Sequence, residues 1–285
     1  MKKLKVGGVP EHFNLPWHLA IENENFKNTG LEVSWKDFPD GTGAMCKALR
    51  NNEIDVAVIL TEGIIKDIIA GNSTQIVQEY IGSPLVWGIH VAAESEYNEI
   101  EDLKNAKVAI SRFGSGSHLM AYINAKRLGW NPADLEFEVV GDINGAINAL
   151  ETGQAGYFMW EHFTTKPLVD DGTFRRLGDC PTPWPCFVIA VREEVLKNDS
   201  EAVNRMLEVL NNMTKNFRSI PEIEKQLAKR YQQKEEDIKE WLKITRWSSE
   251  IISAEELHRA QEQLFELDLI PQKVDNSALV HKFQV

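Results

Sequence analysis

Apolar residues in the first two-thirds of the chain fall into short runs separated by stretches with the period of a helix. The runs predict strands at 4–9, 31–38, 56–60, 86–92, 107–111, 135–140, 157–160 and 187–191, with helical patterns between most of them. Strand and helix in alternation predict an α/β fold with largely parallel sheets. After Glu193 the pattern changes. Residues 193–218, 221–232, 234–245 and 254–267 read as helices, with Pro221 suited to a first turn and Ser253 to a cap ahead of Glu255 and Glu256. The C-terminal third is therefore expected to be helical cladding.

One pattern recurs. The segment GAMCKAL (43–49) leads through a polar turn into DVAVILTE (55–62), and GAINAL (145–150) leads through Glu151, Thr152 and Gly153 into YFMWE (157–161). Helix, turn, strand and glutamate thus repeat at a spacing longer than the roughly 20–50 residues of a solenoid. The pattern fits two similar lobes; two unrelated amphipathic helix–strand pairs would also produce it.

Composition narrows the class. Of 285 residues, 43% are hydrophobic and 26% charged, close to the globular average, which excludes wholesale disorder, collagen-like repeats and a disulfide scaffold. The 31 Lys and Arg against 43 Asp and Glu leave a net charge of −12, whose field opposes nucleic acid or an anionic membrane as partner. No apolar run approaches the length of a membrane-spanning helix. Lys2 and Lys3 imitate a secretory signal, but Leu4, Val6 and Val9 alternate with Lys5, Gly7 and Gly8 and no small-residue cleavage site follows. The chain as given is expected in the cytoplasm, and in the periplasm or at a membrane if a signal segment has been removed. Cys46, Cys180 and Cys186 are expected as free thiols, although Cys180 and Cys186 are close enough in sequence to pair.

Ligands of open parallel sheets bind beyond the carboxyl ends of the strands, so the residues that follow each strand carry the chemistry. The richest stretch is Ser111-Arg112-Phe113-Gly114-Ser115-Gly116-Ser117-His118, which opens a helix closed by Gly129. Gly114 and Gly116 let a backbone approach a ligand closely; free N–H groups at the helix start, with Arg112, Ser115 and Ser117, suit a carboxylate, sulfonate or phosphate. The same residues also make an ordinary serine cap on a glycine turn. The stretch lacks the Gly-Lys-Ser/Thr ending of a P-loop, the G-x-G-x-x-G of a dinucleotide site and the G-x-S-x-G of a nucleophile elbow. Glu62 and Glu161 end the two repeated units and suit an amine, an amidine or a protonated ring nitrogen, or else stand as solvated loop carboxylates. Trp17, Trp160 and Trp184 could supply flat walls. His12, His118 and His162 lie where acid–base work is possible, but the histidines lack metal-ligand spacing, so no metal or other cofactor is expected.

The KALRNNEIDVAV (47–58) and DLKNAKVAISRFGSGSH (102–118) segments, in their strand–helix order, make the chain resemble the type II periplasmic-binding-protein fold. Within it, the chain looks most like the sulfonate, nitrate and thiamine-precursor binding group of ABC-transporter receptors. The resemblance covers roughly residues 4–267. It implies a two-lobed α/β clamp with parallel-rich mixed sheets and a helical C-terminal third: lobe 1 at 1–90 and 190–285, lobe 2 at 91–189, with hinge strands at about 86–92 and 187–191. It implies a monomeric binding protein for a small organic anion, working by hinged closure with an ABC-transporter permease as partner and no catalytic residue. By position it implies a ligand site from His12, Asn14, Gly41, Thr42, Thr61, Glu62, Arg112, Gly114, Ser115, Gly116, Ser117, His118, Trp160 and Glu161. The CPTPWPC segment (180–186) would line the cleft mouth or stiffen the crossover. Relatives that act inside the cell give the alternative: an enzyme on the same fold, such as a futalosine-pathway lyase or dehydratase, with His118 or His162 as base and Glu62 or Glu161 as acid.

Overall fold

The computed structural model describes residues 1–283. The chain divides into two compact units, Met1–Ser83 with Pro183 onward, and Pro84–Thr182. The first begins with β1 (Lys2–Gly8), a 3-10 turn (His12–Asn14), α1 (Leu15–Glu22), β2 (Leu31–Asp37), α2 (Thr42–Arg50), β3 (Val56–Leu60), α3 (Thr61–Ile69) and β4 (Thr74–Ile81). The second holds β5 (Val86–Ala92), β6 (Val108–Ile110), α4 (Gly116–Arg127), β7 (Phe137–Val139), α5 (Ile143–Glu151), β8 (Tyr157–Glu161), α6 (Lys166–Asp170) and β9 (Phe174–Pro181). The chain then completes the first unit with β10 (Phe187–Arg192), α7 (Glu193–Asn216), α8 (Ile223–Tyr231), α9 (Glu235–Ile244) and α10 (Ala254–Glu266).

Each unit is built on a five-stranded sheet, and the orders correspond: β2-β1-β3-β10-β4 in the first and β7-β6-β8-β5-β9 in the second. In each, four strands run in one direction, and a single strand, β10 in the first and β5 in the second, runs antiparallel between two of them. The repeated helix–turn–strand pattern of the sequence is this correspondence: α2 and β3 in one unit, α5 and β8 in the other. Expected boundaries at 90/91 and 189/190 fall inside strands. The chain crosses at 83/84 and 182/183 instead, so β5 lies whole in the second unit and β10 whole in the first.

The apolar runs form the inner strands because both faces are covered there, whereas the edge strand β2 alternates buried and exposed residues. All five residues of β3 are apolar, and Val56 to Ile59 are fully buried. Two strands lack such a run. In β4 the buried Gln78 exchanges amide hydrogen bonds with Asn211 of α7 at 2.8 and 2.9 Å, and the Tyr80 hydroxyl donates to the Phe13 carbonyl at 2.7 Å. In β9 the guanidinium of Arg175 donates to the Ser95 carbonyl at 2.7 Å. Polar strand residues are tolerated here because distant partners satisfy them.

The helical third follows the periodicity with one correction. Ser253 and Glu256 form the reciprocal capping box at the start of α10, with bonds of 3.2 and 3.1 Å. Pro221 does not open its helix: Glu222 takes a left-handed backbone with φ of 54°, and α8 starts at Ile223. No helix among the described residues is long and apolar enough to cross a membrane. Cys46, Cys180 and Cys186 are buried free thiols.

Candidate functional site

In the first unit the residues beyond the parallel strands turn into the protein. His12 is 1% exposed, its ring stacked on Phe13 and edge-on to Trp241 of α9 at centroid distances of 4.8 and 4.3 Å. Burial lowers its pKa to about 3, so the ring is neutral, and its Nε2 has no partner among the described residues. Asn14, fully buried, closes the turn by donating from Nδ2 to the Val9 carbonyl at 2.8 Å. Gly41 precedes α2 with φ of 71° and ψ of −152°, a conformation that needs glycine. Thr42 opens α2 with its methyl against Gly63, where a Cβ would lie 2.3 Å from Thr42 Cγ2, so α2 and α3 start side by side.

Thr61 and Glu62 are both buried and both engaged by the segment that returns from the second unit. The Thr61 hydroxyl donates to the Pro185 carbonyl at 2.6 Å, and the Trp184 indole donates to Glu62 Oε2 at 2.8 Å. Arg259 of α10 adds a bond to the Pro183 carbonyl at 3.1 Å. Three side chains thus tie down this proline-rich segment. Burial pushes the Glu62 carboxyl up to about 7, against the lowering effect of its own backbone N–H and of Trp184. Trp17 and Trp184 are not open walls. Trp17 is wholly buried beside Phe26, Trp35 and Tyr80, and Trp184 is 2% exposed.

In the second unit β6 and β8 are neighbours, so the loops after them emerge side by side. Ser115 is the N-cap of α4 and accepts from the His118 N–H at 3.3 Å. Ser117 Oγ accepts from the Ser111 N–H at 3.0 Å and lies 3.1 Å from Ser115 Oγ. The His118 ring accepts at Nδ1 from the Gly114 N–H at 3.1 Å and packs edge-on against Phe113, Tyr122 and Phe137. The serine hydroxyls therefore build the turn instead of facing outward. What remains toward a ligand is the first turn of α4, where the Gly116 and Ser117 N–H groups take no partner among the described residues, and the exposed Arg112, which makes no ion pair there.

Trp160 of β8 is half-buried, stacked on Phe158 and edge-on to Trp87 at 5.3 and 6.3 Å. Glu161 is 6% exposed and accepts from the N–H and hydroxyl of Thr164 at 2.6 and 2.8 Å. Burial raises its pKa, and the Thr164 bonds oppose that shift. Next to it lies a cluster the sequence reading missed apart from His162: Asp179 and Arg176 of β9 and His90 of β5 all converge on the loop after β8. The charged run of β9 was its only signal, and that run does not read as a strand. No group of metal-ligating side chains occurs among the described residues.

The family model for Ca3427-like periplasmic binding proteins matches residues 87–180, within the second unit. A search of curated protein sequences finds no match. Among solved structures, the Candida albicans CA3427 gene product, described as defining a new family with the generic periplasmic binding protein fold, aligns at 24% identity and a TM-score of 0.88 over 99% of this chain and 97% of its own. The alkanesulfonate-binding protein SsuA of Xanthomonas axonopodis pv. citri, bound to MOPS, aligns at 18% identity and a TM-score of 0.82 over 98% of each chain. The periplasmic aliphatic sulphonate binding protein SsuA of Escherichia coli aligns at 20% identity and a TM-score of 0.78 over 99% of this chain and 92% of its own. The chain has the two-lobed periplasmic-binding-protein fold.

Proposed function

We propose that this protein binds a small organic anion, of the sulfonate class, and delivers it to the permease of an ABC importer. The carrying observation is the first turn of α4: two unpartnered N–H groups at the positive end of a 12-residue helix, with Arg112 beside them and the serines holding the turn rigid. A tetrahedral or planar oxyanion fits such a seat without a metal or a covalent step. Local donors are required, because the overall charge of −12 repels anions. The likeness in fold to sulfonate-binding proteins supports this choice among anions.

The test is a thermal-shift panel of sulfonates, carboxylates, nitrate and aminopyrimidines on protein confirmed ligand-free by native mass spectrometry. A sulfonate should stabilise the fold by mass action, and Arg112→Ala should weaken it about tenfold or more, the worth of a hydrogen bond to a charged group. A panel without a stabilising sulfonate, or an unchanged affinity in Arg112→Ala, would overturn the reading. The second reading, an enzyme on the same fold, rests on Glu62, a buried carboxyl that burial raises to about 7, where acid–base work is efficient. A change in ligand mass on incubation with the protein would establish it, and recovery of unchanged ligand would remove it.

A further inference from the structure

The loop after β8 is held by a hydrogen-bonded chain that runs through two imidazoles. His162 Nδ1 lies 2.8 Å from Asp179 Oδ1, and Arg176 Nη1 lies 2.5 Å from His162 Nε2 and 3.0 Å from its Nδ1. Arg176 Nη2 donates to the His162 carbonyl at 2.6 Å, and Arg176 Nε donates to His90 Nε2 at 3.3 Å. Thr165 Oγ1 reaches the same His90 nitrogen at 2.9 Å and the Glu161 carbonyl at 3.0 Å. The chain lies across Gly88, where a Cβ would stand 2.5 Å from the His90 ring and 3.0 Å from Arg176 Nε. Residues 161–165 are thus fastened to β9 by Arg176 and to β5 by Thr165.

Both imidazoles must be neutral at Nε2 to accept from Arg176. Burial, reinforced by Arg176, lowers the His90 pKa to about 3, so that acceptor persists. His162 is 22% exposed and faces Asp179 and Arg176 of β9, His90 of β5 and Glu161 of β8, with the Lys166–Asp170 ion pair of α6 following in sequence. A proton added at its Nε2 removes the lone pair that Arg176 uses and sets a cation against the guanidinium. The same proton strengthens the bond to Asp179.

We propose that residues 161–165 form a proton-sensitive latch: neutral His162 accepts from Arg176 at its ring, and a protonated His162 loses that bond, leaving the loop on β9 through its carbonyl and Asp179 alone and loosening Trp160 and Glu161 beside the α4 seat. Its consequence for ligand release rests on the anion-binding reading above; the latch itself does not. The test uses the full chain. Imidazole NMR follows His162 through its titration, and hydrogen exchange gives protection factors for the Thr164 and Thr165 amides. Protection should fall about tenfold as His162 gains its proton, and should be independent of pH in His162→Gln. Arg176→Gln, which removes the neighbouring cation, should move the His162 midpoint up, and Asp179→Asn, which removes the neighbouring anion, should move it down. Protection that ignores the His162 titration, or midpoints unmoved in both variants, would overturn the latch.

Ethanesulfonate is the ligand probe. Its affinity should be lower at a pH below the His162 midpoint read by NMR than at a pH above it in the wild type, and alike at both in His162→Gln, which has no imidazole to titrate. Equal wild-type affinity at both pH values would overturn control of the seat. Failure of ethanesulfonate to bind at any pH would count against the sulfonate reading, and the exchange data would still decide the latch.

Discussion

The two units share a strand order and put opposite residues to use at the same place. Beyond the parallel strands of the first unit, His12, Asn14, Thr61 and Glu62 are buried and packed against, or bonded to, the protein itself. Beyond β6 in the second unit the serines fold inward but leave backbone N–H groups and Arg112 available. The glutamates that end the repeated units differ as well. Glu161 is the last residue of β8, opposite Trp87, whereas the residue opposite Phe187 at the matching end of β3 is Leu60; Glu62 lies two residues further on, inside α3. A shared topology sets where loops emerge, and the side chains on those loops decide whether the place becomes core or site.

Several substitutions would break or sharpen this contrast. The largest effect is expected from Trp241→Ala, which removes the aromatic ring against His12 and Phe13. It should cost about 3–5 kcal/mol by urea unfolding followed in the far ultraviolet. A cost below about 1 kcal/mol would mean that the first unit's inward-turned residues are not sealed by their helical cladding.

Next is the buried acid. An unfolded glutamate loses its proton near 4.5 and folded Glu62 only at about 7, so the favourable contribution of its protonated form is complete below 4.5 and is lost as pH rises to 7. Wild-type stability should therefore decline by about 3 kcal/mol over that window relative to Glu62→Gln, which keeps an acceptor for Trp184. Parallel stability–pH curves for the two proteins would show that Glu62 is not confined as the Trp184 contact implies.

Glycines give a smaller test with a built-in control. A Cβ at Gly145 of α5 would stand 1.9 Å from the Val140 carbonyl oxygen, a backbone atom, whereas at Gly63 the obstacle is the Thr42 methyl. Gly145→Ala and Gly63→Ala should each cost about 1–3 kcal/mol in thermal melts, and Thr42→Ser should rescue only the second. Rescue of neither would show that both helix starts are rigid. Smallest is Ser115→Ala, about 1 kcal/mol for a lost cap, with no matching effect of Thr42→Ala, because the cap of α2 is Gly41 and has no side chain.

Much of the framework is legible in the chain before folding. The apolar runs locate eight of the strands within a residue or two, because a strand buried on both faces, such as β3, must be apolar at nearly every position and one buried on a single face, such as β2, at every second position. β4 and β9 are not legible: Gln78, Arg175, Arg176 and Asp179 look like loop residues until their partners on α7, on the segment after β5 and at His162 are in place. The glycine and serine stretch at 111–118 reads directly as a strand-to-helix turn. The inward direction of its hydroxyls does not, since a serine next to a glycine suits an internal bond as well as a ligand.

What the sequence by itself determined is periodic and local: alternating strands and helices, the repeated unit, the helical third, the Ser253 capping box and the glycine-rich start of α4. Tertiary structure decided the rest. It set β10 antiparallel between β3 and β4, and it turned Thr61 and Glu62 toward a segment 122 to 125 residues away. It also joined His90 to Arg176 across 86 positions. The physical reason is one of range. Burial repeats with the period of the backbone and leaves its mark on neighbouring residues, whereas a polar atom is satisfied by whatever the fold brings within about 3 Å of it, at any distance along the chain.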